Sequence, residues 1–319
     1  MIPTTTVTPM LLSTAMLRVS IRFIAFCGFL ALSIIGAAQE TFNYDKNLPL
    51  DENQHEVGIR NGVRILLLNI AVTANVRADC LLVAPVRSKG KTGAVVWMHS
   101  GGFFEQLPDA LLLAHAGAIS LLIDPIVPDW GGPPERWHES MVQAIISVRR
   151  GVDLLIRERN DVDPQRIAYV GHSYGALIGV DAAAIDHRFR AAVFEVGLPG
   201  MSVHIRTAEV SFANEIRQRL GDRLDSALRQ IEPLDAIHYV DRLAPTALLF
   251  QSAHLDPGIS DEQAQSFFDA ASEPKILRWY DTAHEVIDIA AISDRARFLA
   301  SQLALHPIEP ILKAKIGIR

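Results

Sequence analysis

A serine between two glycines, in the segment Gly171-His172-Ser173-Tyr174-Gly175, is the group of residues best suited to chemistry. The segment matches G-x-S-x-G and joins an apolar run, RIAYV, to a stretch rich in small residues. A strand that turns at once into a helix passes through a tight corner, and the two glycines leave room for that corner. A chance match would fall in a loop more often than at such a junction. We therefore predict that Ser173 is an exposed nucleophile.

Two parts of the chain are expected to stabilise negative charge on a carbonyl oxygen attacked by this serine. The first free N–H groups and the positive end of the helix after Ser173 point at the corner, so the amide of Tyr174 is one predicted donor. The run GAVVWM is followed by His99-Ser100-Gly101-Gly102-Phe103, where glycines allow close approach of the backbone. The second donor is therefore predicted to be the amide of Gly101 or of Gly102. A plain glycine turn is the alternative.

A serine hydroxyl needs an imidazole to remove its proton and a carboxylate to orient that imidazole. Where a strand–serine–helix corner of this kind is used, the acid and then the histidine follow later strands. Asp256 follows the run TALLFQSA, and His284 follows the run KILRWY. Asp261 is a rival for Asp256, although its place at a helix start also suits a structural carboxylate. We predict Asp256 as the acid and His284 as the general base.

Three other histidines, His99, His172 and His254, would also lie near strand ends. Only His284 follows the last strand, which favours it as the base. A metal site built from the other three is disfavoured because they show neither H-x-H nor H-E-x-x-H spacing. We therefore predict neither a metal nor a cofactor.

Apolar runs alternate with segments of helical period along most of the chain, which predicts a largely parallel sheet with helices on both faces. The longest amphipathic segment covers residues 135–159, and a short Ala-rich helix is expected over 175–187. A charged helical insertion over 198–242, after the sixth run, could form a lid or an exposed hairpin. Phe103 and Trp130 are candidate walls of a substrate pocket. About eight strands are expected, at residues 63–72 and 78–86 as a hairpin, then 93–100, 118–126, 166–173, 191–197, 246–253 and 275–280.

With these motifs in place, residues 93–300 resemble the dienelactone hydrolase, acetyl xylan esterase and prolyl oligopeptidase-like branches of the α/β-hydrolases. The stretch DVDPQRIAYVGHSYGALIGVDAAAIDHRFRAAV is the most family-like. The loop HSGG departs from the more usual HGGG type, and no propeller domain precedes the core. The resemblance implies a serine hydrolase that acts on a small ester through Ser173, His284 and Asp256. An acyltransferase, a thioesterase, a serine peptidase and a non-catalytic binding protein of the same fold remain alternatives.

The first 38 residues differ from the rest, because they contain no acidic residue and end in a long apolar run that finishes at Ala38. This composition predicts a signal peptide over 1–38 cleaved after Ala38, followed by one domain over 39–319, with an uncleaved membrane anchor as the alternative. Export to the periplasm or the medium is expected. The formal net charge of −6 and the absence of a dense Lys/Arg cluster argue against nucleic acid as a partner. A small-molecule ester is the expected partner, and the oligomeric state stays open.

Overall fold

The structure is a computed structural model that describes residues 42–87 and 90–316. The chain divides into two compact units, Met1–Asn43 and Tyr44–Arg319. Only residues 42 and 43 of the first unit are described, so the predicted signal segment 1–38 and its cleavage point lie outside the described residues. Within the described residues, no helix is both long enough and apolar enough to cross a bilayer.

Over its described residues, the second unit is built on one nine-stranded sheet with the strand order β1-β2-β3-β5-β4-β6-β7-β8-β9. The three strands β1 to β3 are antiparallel to their neighbours, whereas β5, β4, β6, β7, β8 and β9 run parallel. The strands are β1 Asn53–Arg60, β2 Val63–Ala71, β3 Arg77–Pro85, β4 Thr92–His99, β5 Ile119–Ile123, β6 Val162–His172, β7 Phe189–Glu195, β8 Ala247–Ala253 and β9 Lys275–Tyr280.

The parallel strands are covered on both faces, which is why they appear in the sequence as continuous apolar runs. Every residue of β5 is buried, and β4 is buried from its second residue onward. The carboxyl ends of β4, β6, β8 and β9 meet at one edge of the sheet, where the predicted chemical groups follow them. This edge is therefore where a site can form.

The prediction of about eight mostly parallel strands is confirmed, and β1 is an additional strand that it did not include. Its sequence, NQHEVGIR, contains only two large apolar residues, and its side chains are almost all exposed. It is held by main-chain pairing with β2 at the margin of the sheet. Side-chain periodicity reports burial, and a strand that buries neither face carries no such periodicity.

Helices cover both faces of the sheet, and two of them bear on the site. Helix α2, Trp137–Arg157, fills most of the predicted 135–159 segment and buries its apolar stripe. Helix α3, Tyr174–Ile185, occupies the predicted 175–187 region and is buried along nearly its whole length, as its small residues allow. The helices of eight or more residues outside the insertion are α1 Leu107–His115, α2 Trp137–Arg157, α3 Tyr174–Ile185, α7 Asp261–Ala270, α8 Ile289–Gln302 and α9 Glu309–Ile316.

The segment 198–242 between β7 and β8 is helical, with α4 at Met201–Thr207, α5 at Ser211–Leu220 and α6 at Leu224–Ile231. Helix α5 is tied to the loop after β5, because the Arg219 guanidinium donates to the carbonyl oxygens of Trp130 and Gly132. Phe212 also meets the Trp130 ring edge to face, with centroids 5.7 Å apart. The insertion is therefore packed against the loops at the carboxyl edge of the sheet.

Candidate active site

Ser173 occupies the sharp turn between β6 and α3, with φ 54° and ψ −114°. A positive φ is strained for a residue with a side chain, and it turns the Ser173 hydroxyl away from the buried strand. The flanking glycines are required by close approach: a Cβ on Gly175 would collide with the carbonyl oxygen of Met98, and one on Gly171 with the carbonyl of Gly175. The strand before the serine, the helix after it and these contacts together produce the turn.

Ser173, His284 and Asp256 form one hydrogen-bonded chain. His284 Nε2 lies 3.0 Å from Ser173 Oγ, and His284 Nδ1 lies 2.7 Å from Asp256 Oδ2. A carboxylate only accepts, so Nδ1 carries the proton and donates it to Asp256, which leaves the Nε2 lone pair facing the serine hydroxyl. This is the tautomer that a general base for Ser173 needs.

The Asp256 carboxylate is fixed by the main chain that follows it. Asp256 Oδ1 accepts the N–H groups of Gly258 at 2.8 Å and Ile259 at 3.1 Å, and its side chain is 2% exposed. The rival Asp261 is the first residue of α7, and its carboxylate lies 2.9 Å from His254 Nδ1 instead. Of the two candidate acids, Asp256 is the one brought to His284.

The charge environment of His284 favours its protonated form. Burial alone acts to lower the pKa of His284, but the hydrogen bond and charge of Asp256, with a smaller contribution from Glu285, outweigh it and raise that pKa above the ordinary value. The His284 side chain is 28% exposed, so a substrate can reach it. An imidazole with a raised pKa is a better acceptor for the serine proton.

The predicted charge-stabilising amides have different surroundings. Tyr174 is the first residue of α3, where N–H groups lack an intrahelical acceptor, and its phenol is held by the carbonyl oxygen of Ile126 at 3.1 Å. Gly101 donates to His99 Nδ1 at 2.9 Å, and Gly102 donates to the carbonyl oxygen of His99 at 3.0 Å. Both glycine N–H groups therefore have partners inside their own turn, and the second donor stays a prediction.

The comparisons with known proteins agree with this architecture. The sequence model of the prolyl oligopeptidase family matches residues 143–284, a segment that holds Ser173, Asp256 and His284. Acetyl xylan esterase 1 from Thermoanaerobacterium sp. JW/SL YS485 superimposes with a TM-score of 0.72 at 13% identity, over 84% of this chain and 93% of that chain. The chain has the α/β-hydrolase fold.

Two further structures show the same fold. The acetyl xylan esterase from Paenibacillus sp. R4 gives a TM-score of 0.68 at 19% identity, over 84% of this chain and 92% of that chain. The acylaminoacyl peptidase of Pyrococcus horikoshii gives 0.57 at 15% identity, over 82% of this chain but 52% of its own. No curated protein matches the sequence significantly. At these identities the likeness establishes the fold alone, and the family match over residues 143–284 supports a hydrolase.

The two aromatic residues predicted as pocket walls occupy different positions in this fold. Phe103 is half-buried against the core, and its ring meets that of Phe104 edge to face, with centroids 4.6 Å apart. Trp130 is held between Trp137 and Phe212, with ring centroids 5.0 and 5.7 Å away. Trp130 is thus an anchor for the insertion as well as a candidate wall, and the substrate-binding roles of Phe103 and Trp130 stay predictions.

Sequence reasoning did not identify His204, on α4 of the insertion. Residues 254–260, which follow β8 and include Asp256, are called the acid loop. Gly258 of this loop lies so close to His204 that a Cβ added to it would be 3.0 Å from His204 Cε1. Burial lowers the pKa of His204, and the charge of His284 lowers it further. The insertion therefore reaches the acid loop of the site, which no sequence pattern signalled, because an isolated histidine on a short helix is common.

His99, His172 and Glu285 offer three possible metal-ligand atoms within 4.8 Å of one another. However, the rings of His99 and His172 are stacked 4.0 Å apart and parallel within 9°. A metal ion lies close to the plane of each imidazole that binds it, so two stacked rings cannot share one ion in this orientation. His99 Nδ1 also already accepts the Gly101 N–H. This arrangement does not fit a metal centre.

Proposed function

We propose that this chain is a serine hydrolase that cleaves carboxylic esters through a covalent acyl-enzyme. The observation that carries the proposal is the hydrogen-bonded chain Ser173–His284–Asp256 at the strained turn after β6. A serine held at a positive φ with an imidazole at 3.0 Å, itself oriented by a buried carboxylate, is the arrangement that activates a hydroxyl.

In the proposed reaction, His284 Nε2 takes the proton of Ser173 Oγ as the oxygen attacks the ester carbonyl carbon. The carbonyl oxygen becomes negatively charged and accepts the Tyr174 N–H and a donor from the loop after β4. His284 then gives its proton to the leaving alkoxide, which departs as an alcohol. Water, deprotonated by His284, attacks the acyl-enzyme in the same way, and the carboxylic acid leaves as Ser173 regains its proton.

An ester is favoured over a peptide by the extent of the structural matches. The two acetyl xylan esterases are matched over 93% and 92% of their lengths, whereas the acylaminoacyl peptidase is matched over 52%. The nearly full-length matches to two esterases support an ester as the proposed substrate.

The test uses a fluorophosphonate probe and p-nitrophenyl acetate on the purified protein. Wild type should be labelled once per chain and should hydrolyse the ester, and Ser173→Ala should lose labelling and at least about 10⁴-fold of kcat. Ser301→Ala, at an exposed serine of α8, is the matched control and should behave as wild type. A folded wild type that is neither labelled nor active would refute the proposal, as would an active Ser173→Ala.

We further propose that the chain is exported after cleavage behind Ala38, on the composition of residues 1–38. The measurement is the N-terminal sequence of protein recovered from the periplasm or medium. Recovery in the cytoplasm with an intact N-terminus would contradict export.

A further inference from the structure

His172, the residue just before Ser173, makes a hydrogen bond that the reaction scheme above does not use. It ends β6 and is fully buried. Its Nε2 lies 2.8 Å from the main-chain carbonyl oxygen of His284. A carbonyl oxygen only accepts hydrogen bonds, so Nε2 of His172 carries the proton and donates it. The side chain before the nucleophile therefore holds the main chain of the general base.

The ring of His172 is itself held from its other sides. Its Nδ1 lies 3.4 Å from Ser100 Oγ, and its face is stacked on His99 at 4.0 Å. His99 is fixed in turn, because its Nδ1 accepts the N–H of Gly101 and its Nε2 faces the Glu285 carboxylate at 3.6 Å. Burial lowers the pKa of His99 to about 4 and holds the pKa of His172 well below its usual range, so both rings are neutral near neutral pH.

His284 needs such a bond because its own loop is irregular. Residues 281–288 lie between β9 and α8 and contain no helix or strand. The loop is fixed at Thr282, whose carbonyl oxygen accepts the Leu255 N–H, and closed by a turn from Val286 to Ala283. Among the residues that the structure describes, His172 at the end of β6 is what ties the His284 carbonyl oxygen to the sheet. The imidazole rings of His172 and His284 also meet edge to face, with centroids 5.1 Å apart.

We propose that His172 is a positioning residue that fixes the main chain of His284 through Nε2–H···O=C, with His99 restraining the His172 ring. The bond keeps His284 Nε2 at 3.0 Å from Ser173 Oγ and His284 Nδ1 at 2.7 Å from Asp256 Oδ2. This inference rests on the proposed function. Because His172 is fully buried behind the nucleophile, it acts on kcat without contacting substrate.

The test compares two substitutions that differ in the donor. His172→Phe keeps an aromatic ring for stacking and removes the N–H, whereas His172→Gln keeps an N–H that reaches about as far as Nε2. His172→Phe should lower kcat by about 10- to 100-fold with KM within about twofold, because small misplacements of a catalytic group have effects of this size. His172→Gln should recover most of that loss. His254→Phe, at a histidine that also stacks on an aromatic ring but is hydrogen-bonded to Asp261, should match wild type.

The pH profile separates positioning from general stability. The acidic limb of kcat/KM reports the pKa of the base, and that pKa is raised by Asp256. A loosened His284 loses part of this effect, so the limb should move to lower pH in His172→Phe and stay in place in His172→Gln. An unchanged kcat in His172→Phe would overturn the proposal. Equal losses in both variants with unmoved limbs would overturn it as well.

A measurement on wild type needs neither a variant nor activity. Nitrogen NMR of ¹⁵N-histidine-labelled protein near neutral pH should show His172 as a neutral ring protonated at Nε2. Protonation at Nδ1 would remove the donor and overturn the inference even in an active enzyme. Failure of the ester and probe assays alone would count against the proposed function and leave this hydrogen bond standing.

Discussion

Asp256 and Asp261 are five positions apart, yet of these two only Asp256 is hydrogen-bonded to His284, the proposed base. Asp256 bonds His284 and is fixed by two main-chain N–H groups, whereas Asp261 begins α7 and bonds His254. Their environments differ because the loop after β8 turns Asp256 inward before the capping box of α7 starts at Ser260. At the scale of single residues, the hydrogen-bond partners distinguish Asp256, the proposed acid, from Asp261.

This difference gives a prediction for the two amide substitutions. Asp256→Asn should lower kcat by roughly 10⁴-fold, because an amide at this position can donate to Nδ1 and so favours the wrong imidazole tautomer. Asp261→Asn should leave kcat within about twofold, since its carboxylate is bonded to His254 at a helix start. Steady-state kinetics on p-nitrophenyl acetate measure both. Comparable losses in the two variants would show that the acid assignment is wrong.

At the scale of elements, the insertion is attached to the site by a few contacts. Phe212 on α5 meets Trp130 of the loop after β5, and His204 on α4 lies against the acid loop. The lid role of 198–242 is a prediction that these contacts make testable. Removal of the Phe212 ring should weaken the attachment of α5 to Trp130, leaving the Arg219 hydrogen bonds in place, without touching the Ser173–His284 pair.

Phe212→Ala is therefore expected to change KM for bulky esters by about 5- to 10-fold while kcat for p-nitrophenyl acetate stays within about twofold. Asp225→Ala is the matched control, because it breaks an exposed ion pair with Arg206 within the same insertion. An ester series of increasing acyl length gives the measurement. Identical KM values across the series in Phe212→Ala would mean that the insertion does not govern access.

At the scale of the whole molecule, a buried ionic network joins the sheet to the helices on one face. Arg295 of α8 donates to Asp109 of α1 at 3.0 Å and to Gln251 of β8 at 2.7 Å, and its guanidinium lies 3.1 Å from the Glu195 carboxylate of β7. Burial raises the pKa of Glu195 to about 7, although the Arg295 charge opposes that rise. Two carboxylates thus share one buried cation.

The network predicts how stability depends on pH. A carboxyl group with a raised pKa binds its proton more tightly in the folded state, so its contribution to stability is lost as pH rises from the unfolded pKa through about 7. The free energy of unfolding should fall by roughly 1–3 kcal/mol between about pH 5 and pH 8. Glu195→Gln should flatten this profile, whereas Glu309→Gln, at an exposed ion pair, should not. Urea unfolding at several pH values measures this dependence. If the free energy of unfolding fell equally with pH in wild type and in Glu195→Gln, the prediction would be contradicted.

Much of the fold could be predicted because burial leaves a local record in the sequence. The buried parallel strands are continuous apolar runs, and α2 shows its apolar stripe. Strand β1 was missed because it buries neither face and is held by main-chain pairing, which any sequence can supply. The same reasoning explains why the insertion was predicted as helical while its contacts to Trp130 and the acid loop were not.

The sequence by itself indicated the turn at the proposed nucleophile, since Gly171, Ser173 and Gly175 lie within five consecutive residues between an apolar run and a stretch of small residues. It also restricted the acid and the base to a few residues that follow strands. Only the tertiary structure decided which of them meet, because His284 is 111 positions from Ser173 and 28 from Asp256, and the order of strands in the sheet sets those distances. The bond from His172 to the His284 carbonyl belongs to the same category: it joins a side chain to a main-chain atom, and main-chain atoms leave no pattern in a sequence.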